Sequence, residues 1–312
     1  MASSTSSDSA PAINDSKSYH LIFNPISGQQ DPGPKLTEIQ SALEDLNFTA
    51  HLTKPDRDAH QLAQQALKEG ADVIIAAGGD GTVSGVASVL VGTDIPLGII
   101  PSGTANGFAS ALGIPEDLDQ ACAIIKADHR SRVDTARCND QLMLLVACIG
   151  FEANLLDNMD RDEKNILGKL AIVKNGLQEL RDLEQFDVQL STPDHHWNEP
   201  ATAITIANTA TAEMVLAQGP ADVAADDRSL SVTLISPDHQ WEAITSAADL
   251  LVSALQQRSV EDETVHHCKT SEVTVETDPA QKIFIDGEPA GETPIRIECH
   301  PKSLVVLTPP PQ

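Results

Sequence analysis

Short apolar runs that end in polar, glycine-containing breaks alternate with helically spaced apolar positions through the first third of the chain. His20-Leu21-Ile22-Phe23 reads as a buried strand ending at Asn24-Pro25-Ile26-Ser27-Gly28, and Leu36, Ile39, Leu43 and Leu46 then recur at helical spacing. A short strand is predicted around Thr49 to Leu52, then a helix from Ala59 to Lys68 with Gly70 as its stop. Val73-Ile74-Ile75-Ala76 forms the next strand and runs into Ala77-Gly78-Gly79-Asp80-Gly81-Thr82, after which a helix is predicted from Val83 to Leu90. Pro96 to Ile100 is a further strand, closed by Pro101-Ser102-Gly103-Thr104-Ala105-Asn106, and Phe108 to Leu112 resumes helix until Gly113-Ile114-Pro115. Strands alternating with helices predict an α/β domain with a parallel sheet and a binding crevice at its carboxyl edge.

The pattern changes near Val133. From there to Leu307 the apolar segments are mostly short and alternating: Leu142–Ala147, Phe186–Leu190, Ala203–Ala207, Leu230–Ile235, Val273–Glu276, Ile283–Ile285 and Ile295–Glu298. This density predicts a β-rich, sandwich-like C-terminal domain, interrupted by helical patches at Leu167–Leu183 and Ala243–Leu255. The expected organisation is a disordered tail over residues 1–18, an α/β domain over 19–132 and a β-rich domain over 133–303. Residues 304–312 form a last strand that fits either domain and can return to the first.

Composition narrows the function. The 312 residues suffice for two cores, and 41% hydrophobic content fits a globular chain. A formal charge of −26 and scarce aromatics exclude nucleic acid, which needs basic residues and stacking platforms. The same charge argues against a polybasic dock on anionic lipid. Cys122, Cys138, Cys148, Cys268 and Cys299 are unclustered, which fits reduced thiols in a cytoplasmic protein. The Ser- and Asp-rich start lacks the pattern of a signal peptide, and Leu142 to Phe151 is too short to span a bilayer, so a soluble protein is expected.

Three glycine-containing loops, Asn24–Gly28, Gly78–Thr82 and Gly103–Asn106, follow apolar strands. At the ends of strands in one sheet they would line one edge, where glycines let the backbone lie against a phosphate. Asn24, Ser27, Thr82, Thr104 and Asn106 would add side-chain donors. Asp80 would repel that phosphate unless a divalent cation or a bound hydroxyl lies between them. In the second domain Ile285-Asp286-Gly287-Glu288 is open to two readings, a hairpin turn or a carboxylate fixed at a strand end to accept a proton. His195-His196 and His266-His267 lack metal-ligand spacing and read as surface loops, as does the acidic run Glu261-Asp262-Glu263.

The ordered set N-P-x-S-G, G-G-D-G-T, P-x-G-T-x-N-x-F-A-x-x-L-G-I-P and D-G-E resembles the diacylglycerol-kinase catalytic family, a relative of NAD kinase. The likeness runs from about Tyr19 to Leu307 and takes in Val133-Asp134, Gly150-Phe151-Glu152-Ala153, Lys164, Gly168-Lys169-Leu170-Ala171 and Asn208. It implies an ATP- and Mg²⁺-dependent lipid kinase that phosphorylates the hydroxyl of a diacylglycerol, a sphingolipid or a related lipid. By the resemblance, Asn24, Pro25, Ser27, Gly28, Thr53, Gly78, Gly79, Asp80, Gly81, Thr82, Ser84, Gly103 and Thr104 surround ATP. Asp80 acts through Mg²⁺, Asn106 and Asp134 organise the site, and Asp286 or Glu288 is the general base. Asp226 and Asp227 fall where the family carries an accessory metal segment, with Arg228 in place of its glycine.

Two further departures stand, one near the nucleotide and one on the substrate side, in that order. Ser84-Gly85 replaces the Asn-Glu of many relatives, and Gly107 replaces an Asp. The resemblance also implies a role in phospholipid metabolism, transient contact of a cytoplasmic enzyme with a membrane and, through edge strands, a homodimer. The rival readings are an NAD kinase and a non-catalytic nucleotide- or lipid-binding protein.

Overall fold

The structure, a computed structural model, describes residues 17–28, 32–150, 185–210, 223–236 and 265–310. The helical patches expected at Leu167–Leu183 and Ala243–Leu255, the Gly150–Ala153 motif beyond Gly150, Lys164, Gly168–Ala171 and the acidic run at Glu261 lie outside the described residues.

The first part alternates strand and helix: β1 (Tyr19–Phe23), α1 (Pro32–Ala42), β2 (Phe48–Leu52), α2 (Ala59–Lys68), β3 (Val73–Gly78), α3 (Asp80–Leu90) and β4 (Leu97–Pro101). β2, β1, β3 and β4 lie side by side in that order, all parallel. Their continuous apolar runs are explained by helices on both faces. Leu21, Phe23, Val73 and Ile75 pack with Ile39 of α1, whereas Ile22, Ile74 and Ala76 pack with Leu62 of α2 and Val86 of α3.

Two helices follow, α4 (Gly107–Ala111) and α5 (Leu118–Ala127). α5 was not among the expected elements, although Leu118, Ala121, Cys122 and Ile125 recur at helical spacing and Asp117 caps it by accepting from the Gln120 amide at 3.0 Å, a residue type that favours helix starts. α3 begins at Asp80, three residues before the expected Val83, so most of the glycine loop is the first turn of a helix. An acidic residue there suits the positive end of the helix dipole.

The second part contributes β5 (Arg130–Cys138), β6 (Gln141–Met143), β7 (Val146–Gly150), β8 (Phe186–Ser191), β9 (His196–Ala201), β10 (Ala203–Ala207) and β11 (Leu230–Ile235). It ends with β12 (Val265–Thr270), β13 (Glu272–Asp278), β14 (Lys282–Ile285), β15 (Glu288–Glu292) and β16 (Ile295–Leu307). Among the described residues one antiparallel sheet has the order β12-β11-β10-β7-β14-β15. It buries Ile149, Ile204, Val232 and Ile283 against Val188, Leu190, Val275 and Ile297 of the facing sheet, which makes a sandwich.

β16 joins the two parts. Its first half pairs with β13 (Val273↔Ile297), its length runs antiparallel to β5, and Val306 pairs in parallel with Leu97 of β4. The pattern suggested two separate segments here because Pro301 and polar neighbours interrupt it. An irregularity in register between His300 and Leu304 absorbs the interruption and leaves one strand. The expected single segment Leu142–Ala147 is instead split into β6 and β7 at Leu144-Leu145. The histidine pairs also differ from expectation. His196 and the pair His266-His267 lie in β9 and β12, and Trp197 lies between the rings of His195 and His266 at 5.3 and 5.8 Å. Alternation puts His195 and Trp197 on one side of the chain, and His266 of β12 meets the indole from the other sheet.

Candidate active site

The three glycine loops meet at the carboxyl edge of the parallel sheet. Asn24 N donates to Ala77 O, Thr53 N to Phe23 O and Ser102 N to Gly78 O, each at 2.9 Å, so all of these chain segments leave the sheet together. Their contacts are backbone to backbone. A Cβ at Gly103 would lie 2.5 Å from Gly79 Cα, and one at Gly28, where φ is +78°, would lie 2.7 Å from Ser102 O. A Cβ at Gly78 would strike Thr82 Oγ1 at 2.4 Å, whereas one at Gly81 meets nothing within 4 Å. Three of these glycines are thus required by the protein itself, while Gly81 faces open space beside the first turn of α3. By helix geometry the first-turn amides point outward from the end of α3, as an anion site requires.

A polar network stands behind this edge. Asn24 Nδ2 donates to Thr82 Oγ1 (3.1 Å), and its Oδ1 accepts from Thr53 Oγ1 and from the Ile26 amide, both at 3.2 Å. Ser27 Oγ donates to Asn24 O at 2.8 Å and tightens the turn that Pro25 begins. Asn106 adopts φ 50°, which an Asn tolerates better than most residues. Its Oδ1 accepts from Gly103 N (2.7 Å), and its Nδ2 donates to Gly103 O and to Glu116 Oε1, both at 3.0 Å. Asn106, Thr82 and Asn24 therefore hold the loops in shape. Thr104 and Ser84 stand further out, exposed and half-buried respectively.

Two carboxylates approach from opposite sides. Asp80 Oδ1 accepts from the Phe108 amide at 3.1 Å, which ties the second loop to the start of α4. Asp286 lies in the turn between β14 and β15, where Ile285 pairs with Glu288 and both Asp286 (φ 51°) and Gly287 (φ 85°) have positive φ. That is the tight hairpin turn that Asp-Gly favours. The turn does not exclude chemistry. Asp286 Oδ2 accepts from Leu144 N at 2.8 Å, and Oδ1 accepts from Leu145 N at 2.8 Å and Val146 N at 3.0 Å. The Leu144 and Leu145 amides thus serve the carboxylate instead of a strand ladder, which explains the split of the expected strand at those two residues.

The carbonyls of the same segment are clamped by Asn208, whose Nδ2 donates to Leu144 O (2.9 Å) and whose backbone N donates to Leu145 O (2.8 Å). Burial pushes the Asp286 carboxyl up to about 6, against the lowering effect of the three amides and with further upward push from the Asp80 charge. Glu288 is exposed at the start of β15.

Asp134 lies deeper in the protein. It is 1% exposed, its Oδ2 accepts from Arg228 N at 2.5 Å and its Oδ1 from Lys302 N at 2.7 Å. Both oxygens thus join the 225–228 segment to the irregular part of β16. Asp227 Oδ1 accepts from Ser229 N and Oγ, and Oδ2 pairs with Lys269 Nζ at 2.6 Å. The Lys269 ammonium holds the place where a cation would bind that carboxylate, and Asp226 is exposed. An accessory metal at Asp226 and Asp227 would have to displace that ammonium.

Residues near the edge that the motifs did not bring out are Lys35, Glu116 and Leu144–Val146. Lys35 of α1 brings its Nζ to within 3.7 Å of the position a Gly28 Cβ would take, and burial lowers its pKa. A lone Lys in a helix carries no sequence signal of that approach.

Known proteins resemble the chain over both parts. Residues 18–138 match the diacylglycerol kinase catalytic domain, and residues 146–308 match the YegS C-terminal NAD kinase beta sandwich-like domain. "Uncharacterized protein sll0036" of Synechocystis is 40% identical over 309 residues, 95% of this chain and 71% of that protein. "Probable lipid kinase YegS-like" of Pseudomonas putida is 30% identical over 86% of this chain and 89% of its own length. A crystal structure of a "putative diacylglycerol kinase" from Bacillus anthracis superposes with a TM-score of 0.80 at 27% identity, over 94% of this chain and 97% of that one. The chain belongs to the diacylglycerol-kinase catalytic family, among its YegS-like lipid kinases, and is a phosphotransferase.

Proposed function

We propose that this enzyme transfers the γ-phosphoryl group of ATP to the hydroxyl of a diacylglycerol or a related glycerolipid or sphingolipid. The observation that carries the reading is the convergence of Asp80 and the segment that clamps Asp286 at Gly107, beside the glycine edge: a Cβ there would lie 3.9 Å from Asp80 Oδ1 and 2.9 Å from Cδ1 of Leu145, whose amide donates to Asp286. The edge fits a nucleotide: Gly81 leaves open space at the start of α3, and Lys35 supplies a cation next to Gly28. Asn24, Ser27, Thr53 and Thr82 keep that edge in a fixed shape, so little ordering remains to be done when phosphates arrive.

Asp80 is the residue that would hold Mg²⁺, which binds through one or two carboxylates together with substrate phosphates. When bound there, the ion supplies neutralisation of charge on the phosphoryl oxygens.

Asp286 is the proton acceptor for the lipid hydroxyl. A carboxylate offers about four acceptor sites. Three are filled by the amides of Leu144, Leu145 and Val146, and the remaining one is on Oδ2. Its raised pKa of about 6 places it near neutral pH, where an acceptor is both deprotonated and basic. Glu288, exposed and without that clamp, is the weaker candidate for the base.

No helix among the described residues is long and apolar enough to cross a membrane. Access to lipid by transient contact of a cytoplasmic protein, and a homodimer through edge strands such as β9 or β15, belong to the same proposal. The test is transfer from labelled ATP, with Mg²⁺, to lipid acceptors in mixed micelles, run beside NAD. Labelled lipid with unlabelled NAD is expected. Labelled NAD alone favours the NAD-kinase reading, and no transfer to any acceptor favours a binding protein.

A further inference from the structure

We propose that His20, His51 and Glu69 form a binding site for a zinc-type divalent cation at the amino edge of the parallel sheet, separate from the phosphoryl-transfer site. His20 is the second residue of β1, whose other end leads into Asn24, so about 13 Å of strand separates the two places. Ile22 pairs with His51 of the edge strand β2, so His20 and His51 share a face of the sheet. Glu69 is the C-cap residue of α2, the helix that covers this face.

The ligand atoms converge. His20 Nδ1 and His51 Nε2 are 2.9 Å apart, and Glu69 Oε2 lies 3.7 Å from the first and 4.0 Å from the second. Tetrahedral zinc, with bonds near 2.0–2.2 Å, separates its ligand atoms by about 3.3 Å. The three distances bracket that value, and small side-chain rotations would bring the atoms onto one ion. Two imidazoles with one carboxylate select zinc over magnesium or calcium, which take oxygen ligands.

The surroundings support the same assignment. Ser18 Oγ lies 3.3 Å from His20 Nε2 and fixes the ring by its outer nitrogen, and Gln65 Nε2 donates to Glu69 Oε1 at 2.5 Å. Such outer contacts orient metal ligands. The rings stack at 5.2 Å with 11° between planes. The Glu69 side chain is 42% exposed, which leaves an entry path and room for water as a fourth ligand. A carboxylate at the negative end of α2 is disfavoured by the helix dipole, and a bound cation removes that penalty. The ion would fasten the edge strand β2 to β1 and α2.

The test uses the full chain, stripped of metal by chelator and titrated with Zn²⁺ by calorimetry and with Co²⁺ by absorbance. One equivalent bound at this site is expected, with the strong visible bands of tetrahedral cobalt and a rise in melting temperature. His51→Gln and Glu69→Gln should weaken that binding by at least about tenfold. Asp80→Asn should leave it unchanged. Melting without metal establishes that the variants fold. If they do not, imidazole resonances of His20 and His51 in the wild-type protein replace them, and these should shift on adding Zn²⁺. Wild-type affinity in both folded variants, or histidine resonances that Zn²⁺ does not move, overturns the assignment.

Discussion

Asp80, in the first turn of α3, and Asp286, in the turn between β14 and β15, are both brought close to Gly107: a Cβ there would lie 3.9 Å from Asp80 Oδ1 and 2.9 Å from Cδ1 of Leu145, whose amide donates to Asp286. Burial and then the negative charge of Asp80 push Asp286 upward, and three amides hold it in place against that push. Two carboxylates so disposed attract a divalent cation. Asp80→Asn removes one charge while keeping the hydrogen-bond acceptor toward Phe108. The Asp286 pKa in that variant, followed by carboxyl NMR, is expected to fall below about 6. An unchanged value would mean that the two groups do not meet.

The same group sets a pH dependence of stability. The folded-state pKa of Asp286 is raised above its unfolded value of 3.8, so the folded protein holds the proton longer. The contribution is fully present below 3.8 and is lost as pH rises through about 6. A shift of this size corresponds to roughly 2–3 kcal/mol. Urea melts of wild type and Asp286→Asn should therefore diverge between about pH 4 and 6, with wild type losing stability relative to the variant as pH rises.

The glycines divide into two kinds that substitution separates. Gly103→Ala forces a Cβ to within 2.5 Å of Gly79 Cα and should cost about 1–3 kcal/mol in stability. Gly81→Ala meets no protein atom within 4 Å, so its melting temperature should stay within a degree or two of wild type, by the usual small effect of a surface change. Its ATP affinity is nevertheless expected to fall, since the added methyl occupies the space beside the first turn of α3. Calorimetric ATP binding and thermal melts on both variants read the two effects independently.

Gly85 illustrates why a departure from the family pattern need not be an active-site change. A Cβ there would lie 3.1 Å from Ala59 Cβ, because α3 packs closely on the start of α2. Gly85→Glu, which restores the residue of many relatives, should destabilise by about 1 kcal/mol or more and give no gain in transfer. A more active Gly85→Glu enzyme would show that the position faces the nucleotide.

Much of the fold was legible in the sequence because parallel strands covered on both faces leave unbroken apolar runs, as at Val73–Ala77 and Leu97–Ile100. The glycine loops were legible because Gly78 is crowded by the Thr82 side chain and Gly79 and Gly103 by each other's backbone, so that only glycine fits. Asp286 was visible, yet its partners were not. The three amides that hold it belong to Leu144–Val146, distant in the chain and apolar in type, so no motif records them. Lys35 and Glu116 escaped for the same reason: their importance lies in the tertiary approach to Gly28 and Asn106. The helix α5 carries both a cap at Asp117 and helical spacing at Leu118, Ala121, Cys122 and Ile125, so it too is legible in the sequence although it was not expected.

The central claim is that Asp286 accepts the proton from the lipid hydroxyl in a transfer from ATP. It is tested most directly by initial rates of labelled-phosphate transfer to lipid by wild type, Asp286→Asn and Glu288→Gln, each first shown to be folded by its melting transition. Asp286→Asn should lose about 10²–10⁴-fold in kcat, the usual worth of a general base, while Glu288→Gln stays within about tenfold of wild type. A folded Asp286→Asn enzyme that transfers phosphate at the wild-type rate would contradict the account.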